Sequence, residues 1–192
     1  MRTTRRVAFA APTDFHLEHL IPVIETVRLD KRLRPCILAM PDLETVPQID
    51  GVDIVDYEKF MTLGRWQFFD LIVTTEFWGV PWWFKSGARA FINHGVGPKK
   101  DYLNRLADGA FTHVFAAGST TRDDIAKILS DDTVTHTKIV NIGLPATDRL
   151  MNAGASQPDE ASEQSGPTLL YAPSWHVDPV LVPMEEDILT QL

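Results

Sequence analysis

Ala88-Arg89-Ala90-Phe91-Ile92-Asn93-His94-Gly95-Val96-Gly97-Pro98-Lys99-Lys100 is the stretch on which the reading of this chain turns. A short apolar run of strand length delivers an asparagine and a histidine. Two glycines, a proline and two lysines follow. The apolar part is continuous rather than alternating, as in a parallel strand covered on both faces.

Working outward, runs of the same texture recur at Arg6–Ala11, Pro35–Met40, Val52–Val55, Asp70–Thr75, Thr112–Ala116 and Lys138–Ile142. Together with Ala88–Asn93 they predict seven strands. The segments between them read as helix or loop. His16 to Leu29 carries Leu17, Leu20, Ile21, Ile24 and Val27 at helical spacing, with Thr13 or Asp14 available as a cap. Pro22 falls inside it, so the regular helix is expected to begin near His19. Thr121 to Leu129 is the clearest helix, with Ser119 or Thr120 as its cap and Ile125, Ile128 and Leu129 facing inward. Strands alternating with helices predict an α/β fold: a Rossmann-like, doubly wound, mainly parallel seven-stranded sheet.

The chain has 192 residues, 44% hydrophobic and 23% charged, which suits one well-packed domain with some length left over. Cys36 is the single cysteine, so no internal disulfide forms. It lies in an apolar run and reads as a small buried hydrophobe in a reducing compartment. The net charge of −8 opposes binding to nucleic acid or anionic lipid. Val7–Ala11, behind the basic Met1–Arg6, is too short for a signal-peptide core, and no run approaches the ~20 apolar residues of a membrane span. The expected location is cytoplasmic, with peripheral contact at the inner face of the cell membrane left open.

The texture changes after Leu150. Residues 1–151 read as the Rossmann-like domain. Residues 152–167 are small, acidic and poor in large apolar side chains, as in a linker or surface loop. Residues 168–192 supply one further strand and Met184, Ile188, Leu189 and Leu192 at helical spacing, too little for a core of its own. The expectation is the start of a truncated second domain. A naturally short chain whose last helix packs back on the first domain is the alternative.

His94 ends a strand, and ligands of open α/β sheets bind outside the carboxyl ends of strands. A neutral imidazole there suits removal of a proton from an attacking hydroxyl. Gly95 and Gly97 allow close backbone approach to an anion, Lys99 and Lys100 could supply charge to a phosphate, and Asn93 stands beside them. The plainer reading is a strand-end histidine bonded to a neighbouring carbonyl, with lysines on a solvated turn. His16 and His19 follow the first strand on one helical face, and Asp14 has the same position without a settled role. Two histidines lacking a third ligand do not make a metal site. Ser119 and Thr120 open a helix whose free N–H groups could hold a phosphate, or simply cap it. Phe77 to Lys85 (FWGVPWWFK), beside Glu76, is an aromatic segment that covers the sheet or the cleft, stacks on a sugar, or dips into a membrane interface.

Three motifs carry a resemblance. His94-Gly95-Val96-Gly97-Pro98-Lys99 is similar to a His-Gly-Thr-Pro-Leu-Lys-like motif, with the proline displaced by one. Gly143-Leu144-Pro145-Ala146-Thr147-Asp148-Arg149-Leu150 is similar to Gly-x-Pro-Arg-x-Asp-x-Leu, with Ala146 for arginine. Leu170-Tyr171-Ala172-Pro173-Ser174-Trp175-His176 is similar to Leu-Tyr-Ala-Pro-Thr-Trp-Arg, with Ser174 for threonine and His176 for arginine. In this order and spacing, over roughly the last hundred residues, they resemble the CDP-glycerol glycerophosphotransferases, teichoic-acid polymerases and primases of the two-domain GT-B type.

That resemblance implies the N-terminal, acceptor-side half of a GT-B fold. It implies a nucleotide-activated donor, CDP-glycerol or a nucleotide sugar, held by a second domain. The acceptor is a cell-envelope polymer or a lipid-linked molecule, and no cofactor is needed. His94 matches the histidine regarded as the family's general base. An acceptor hydroxyl attacks the β-phosphorus and CMP leaves, with His176 facing the cleft. This chain alone is then expected to be inactive. A UDP-sugar glycosyltransferase or 2-epimerase of the same architecture, and a non-catalytic anion-binding module, are the alternatives.

Overall fold

A computed structural model describes residues 4–63, 69–77, 87–94, 104, 106, 111–129, 137–148 and 151. The chain divides into two units, Met1–Gln157 and Pro158–Leu192. The description below is of the first. The linker expected over 152–167 and the further strand and helix expected over 168–192 lie outside the described residues.

The elements run β1 (Arg5–Ala11), α1 (Asp14–Val27), β2 (Leu33–Ala39), β3 (Asp53–Asp56), α2 (Tyr57–Leu63), β4 (Leu71–Thr74), β5 (Ala88–Ile92), β6 (His113–Ala116), α3 (Ser119–Leu129) and β7 (Lys138–Asn141). Each of the seven strands expected before residue 151 is present to within two residues. The seven form one sheet in the order β3-β2-β1-β4-β5-β6-β7, with every neighbouring pair parallel. The fold is an open, doubly wound α/β sheet of Rossmann type.

The continuous apolar runs follow from two-sided burial. Val7, Phe9 and Ala11 of β1 pack with Leu17, Leu20 and Ile24 of α1 on one face. Ala8 and Ala10 meet Phe60 of α2 and Phe69 on the other. On that second face, further along the sheet, Phe91 and Val114 pack against Ile125 and Leu129 of α3. Cys36 lies inside this core at 1% exposure, and burial pushes its thiol up to about 12.

Two local expectations need correction. Helix α1 begins at Asp14 and runs unbroken through Pro22 rather than starting near His19. An interior proline costs about 3 kcal/mol. Leu17, Leu20 and Ile24, all at 2% exposure or less, offset it by roughly 1.5–3 kcal/mol each. The carbonyl that loses its partner belongs to Glu18, an exposed residue of the helix. Second, α3 starts at Ser119. The Arg122 N–H donates to the Gly118 carbonyl at 2.9 Å, so the cap is Gly118, and Ser119 and Thr120 are exposed first-turn residues. The β2–β3 crossover takes the loop alternative of the sequence reading. An irregular segment lays Leu43, Val46, Ile49 and Val52 on the α1 face.

Candidate functional site

The strand order places the site. From β1 the chain moves outward to β2 and β3, then returns to β4 on the opposite flank of β1 and continues to β7. The direction of winding therefore reverses between β1 and β4. A crevice forms outside the carboxyl ends of strands at such a reversal. Only Pro12 and Thr13 separate β1 from α1, and Thr13 is fully extended (φ −139°, ψ 166°). So short a link brings Phe15, His16 and His19 of the first turns of α1 to that edge. The ends of β4 and β5 bring Glu76 and His94.

These side chains meet. The ring of His94 lies 5.0 Å from that of His16, 6.2 Å from that of His19 and 6.0 Å from that of Phe15, each pair nearly perpendicular. The partly buried Nδ1–H of His94 donates to the Thr75 carbonyl at 3.1 Å. A carbonyl can only accept, so the neutral ring carries its proton on Nδ1, and Nε2 is the basic nitrogen. The bond joins the end of β5 to the end of β4 and fixes the ring's orientation.

His19 repeats the arrangement, its Nδ1–H donating to the Phe15 carbonyl at 2.8 Å. His16 differs. Its Nδ1 lies 2.8 Å from Thr13 Oγ1, and its Nε2 lies 3.9 Å from Glu76 Oε2, both side chains about 15% exposed. The arrangement that satisfies both ends has the Thr13 hydroxyl donating to Nδ1 and Nε2–H turned toward the carboxylate. Burial, and then the neighbouring His94, hold the His16 pKa below its ordinary 6.5, against the pull of Glu76. The ring is therefore neutral at pH 7. Glu76 is itself held, since its Oε1 accepts the Phe77 N–H at 2.8 Å.

The other expected site residues are more dispersed. Asn93 is buried at the end of β5, its N–H directed at the Phe115 carbonyl of β6 at 3.5 Å. The Asp14 carboxylate accepts the N–H groups of Glu44 and Thr45, at 3.2 and 3.3 Å, and so ties the β2–β3 loop to the start of α1. Ser119 and Thr120 sit exposed beyond β6, one strand on from β5. Gly95, Gly97, Lys99, Lys100 and His176 lie outside the described residues, as does 78–85 of the aromatic segment. Phe77, the described start of that segment, stacks on buried Phe91 at 4.7 Å and serves the core.

Gly143 of the second motif has φ +80°, a conformation that favours glycine, and opens the turn after β7. His113 stands at the amino end of β6 beside Thr112. It lines a mainly apolar cavity of about 360 Å³ with Val23, Val27, Leu33 and Phe115; neither His94 nor Glu76 borders it. Among the described residues, no three histidine, cysteine or carboxylate side chains are placed to hold a metal ion, and no helix is long and apolar enough to cross a membrane.

No protein-family model matches the chain, and no curated protein matches it in sequence. Among solved structures it is similar to the co-structure of S. aureus MnaA with UDP, at 11% identity and a TM-score of 0.50, covering 76% of this chain and 46% of MnaA. The chain thus spans about half of MnaA's length. Weaker matches are S. aureus homoserine dehydrogenase (TM-score 0.29, 14% identity, 71% of this chain, 32% of that one) and a Bacillus halodurans xanthine dehydrogenase (0.31, 9%, 83% and 45%). The MnaA likeness is one of fold, and agrees with the open Rossmann-type sheet.

Proposed function

We propose that this chain is the acceptor-side half of a transferase that uses a nucleotide-activated donor, with His94 as the general base. One observation carries the reading. At the point where the sheet reverses its winding, the His94 ring, its Nδ1–H on the Thr75 carbonyl, stands clustered with the rings of His16, His19 and Phe15. A hydroxyl is a poor nucleophile at neutral pH, and an imidazole held in this tautomer draws off its proton as the new bond forms. The group transferred is glycerol phosphate or a sugar, in keeping with the three motifs. The acceptor is an envelope polymer or its lipid-linked precursor, reached at the inner face of the membrane. The fold likeness to MnaA, whose co-structure holds UDP, supports a nucleotide-sugar substrate in particular and favours a UDP-sugar transferase or 2-epimerase as the second reading.

The full-length polypeptide, supplied with CDP-glycerol, CDP-ribitol and UDP-sugars in turn, separates these donors by which nucleotide is released. With the active donor, His94→Gln is expected to lower kcat by about 10²–10⁴ while leaving donor affinity in place. A variant that turns over normally, or loses only affinity, contradicts the base and leaves an anion-binding module.

A further inference from the structure

We propose that Thr13, His16 and Glu76 form a second reactive centre: the Thr13 hydroxyl is a nucleophile toward neutral acyl esters, His16 is its base, and Glu76 orients the base. This centre goes beyond the transferase reading and stands apart from the role of His94 in it.

Thr13 is the N-cap of α1, His16 lies in the first turn of that helix, and Glu76 follows β4. Thr13 Oγ1 lies 2.8 Å from His16 Nδ1, and the far nitrogen of the ring, Nε2, lies 3.9 Å from Glu76 Oε2. A carboxylate only accepts, so Nε2 carries the proton and Nδ1 keeps its lone pair toward the hydroxyl. A hydroxyl within reach of a base that a third group orients is the arrangement that activates serine and threonine nucleophiles. Glu76 is held from behind, its Oε1 accepting the Phe77 N–H. The 3.9 Å separation is long for a hydrogen bond and shortens as the ring gains charge.

Further observations set Thr13 apart. An N-cap threonine ordinarily spends its oxygen on a first-turn N–H, but the Thr13 side chain makes no such bond. It is exposed, and its hydroxyl meets the imidazole instead. The first-turn N–H groups that it leaves uncapped are donors for the oxyanion that forms when a carbonyl is attacked. Burial, and then the neighbouring His94, hold His16 below its ordinary 6.5, so the base form is present at pH 7. The Asp14 and Glu76 carboxylates repel an anionic electrophile, while half-exposed Phe15, its ring 5.4 Å from that of His16, offers an apolar surface. A neutral ester with an apolar acyl group suits both. In the step, Oγ1 bonds to the carbonyl carbon as its proton passes to His16 Nδ1. The ester C–O bond then breaks and the leaving alcohol takes that proton. The acyl group stays on Thr13 until water removes it as a carboxylic acid by the same route.

The test is labelling of this chain with an alkyl fluorophosphonate, a neutral electrophile that follows the same course: Oγ1 bonds to phosphorus, fluoride leaves and the proton ends in solvent. Peptide mass mapping is expected to find the adduct on Thr13, absent in Thr13→Val and kept in Thr13→Ser. His16→Asn is expected to slow labelling by about 10²–10⁴-fold, and Glu76→Gln by about tenfold. p-Nitrophenyl butyrate is expected to release p-nitrophenolate faster with the parent chain than with His16→Asn. In the parent, labelling is expected to slow on acidification with a midpoint below 6.5, set by His16 with Glu76, His94 and His19 as its charged neighbours. Overturning results are an unmodified Thr13, labelling or p-nitrophenolate release indifferent to His16→Asn, or a labelling rate that does not fall in acid. Mapping and the pH profile use the parent chain, so they decide the matter even where a variant fails to fold.

Discussion

At the scale of single residues, His94 was legible because a polar side chain ending a continuous apolar run marks a strand's carboxyl end. Its hydrogen bond to Thr75 was not, since the partner lies nineteen positions away on a neighbouring strand. His16 is legible as a residue just after the first strand, but its contact with Glu76 depends on the β1–β4 pairing, which no local pattern encodes. The depressed pKa of His16 has a consequence for stability. Above its ordinary 6.5 the ring is neutral in both the folded and the unfolded chain. As pH falls below that value, the unfolded chain takes up the proton first, so stability is lost until the folded ring also protonates. Glu76 moderates this loss while His94 and His19 add to it. Urea denaturation at about pH 7 and about pH 5 should show a smaller acid-side loss in His16→Asn than in the parent; an equal loss contradicts the assignment.

At the scale of elements, strands were the easier part. Seven apolar runs are bounded by turn residues, and burial on both faces gives the inner strands such as β1 and β2 a continuous apolar composition, while the edge strands β3 and β7 are only part-buried. Helices were harder because propensity and burial compete. Pro22 argued for a late start to α1, yet side chains anchored on both sides of the proline carry the helix across it. Likewise α2 is one short segment whose anchor, Phe60, is recognisable only once the sheet it covers exists. Spacing between elements makes its own demands. At Gly87, just before β5, an added Cβ would collide with the Phe69 carbonyl oxygen and press on that of Asp70. Both are backbone atoms that cannot swing aside. Gly87→Ala is therefore expected to destabilise the fold by about 1–3 kcal/mol in chemical denaturation, and an unchanged midpoint would show that β4 and β5 meet differently.

For the molecule as a whole, the class of sheet could be read from composition and the alternation of runs. The strand order could not, because it depends on which faces pair across the chain. That order sets the reversal between β1 and β4, and side chains from α1 and from the ends of β4 and β5 cluster there. Of the binding residues expected around His94, His16 is in contact with it, whereas Asp14 braces a loop and Ser119 lies one strand away. The local motif thus marks the strand end that bears His94 but not the residues that gather around it. The most direct measurement is a long-range ¹H–¹⁵N NMR spectrum of the His94 ring at a pH where it is neutral. A protonated Nδ1 and a lone-pair Nε2 whose signal moves on adding acceptor analogues are predicted; a ring protonated on Nε2, or one indifferent to every analogue, would contradict the account.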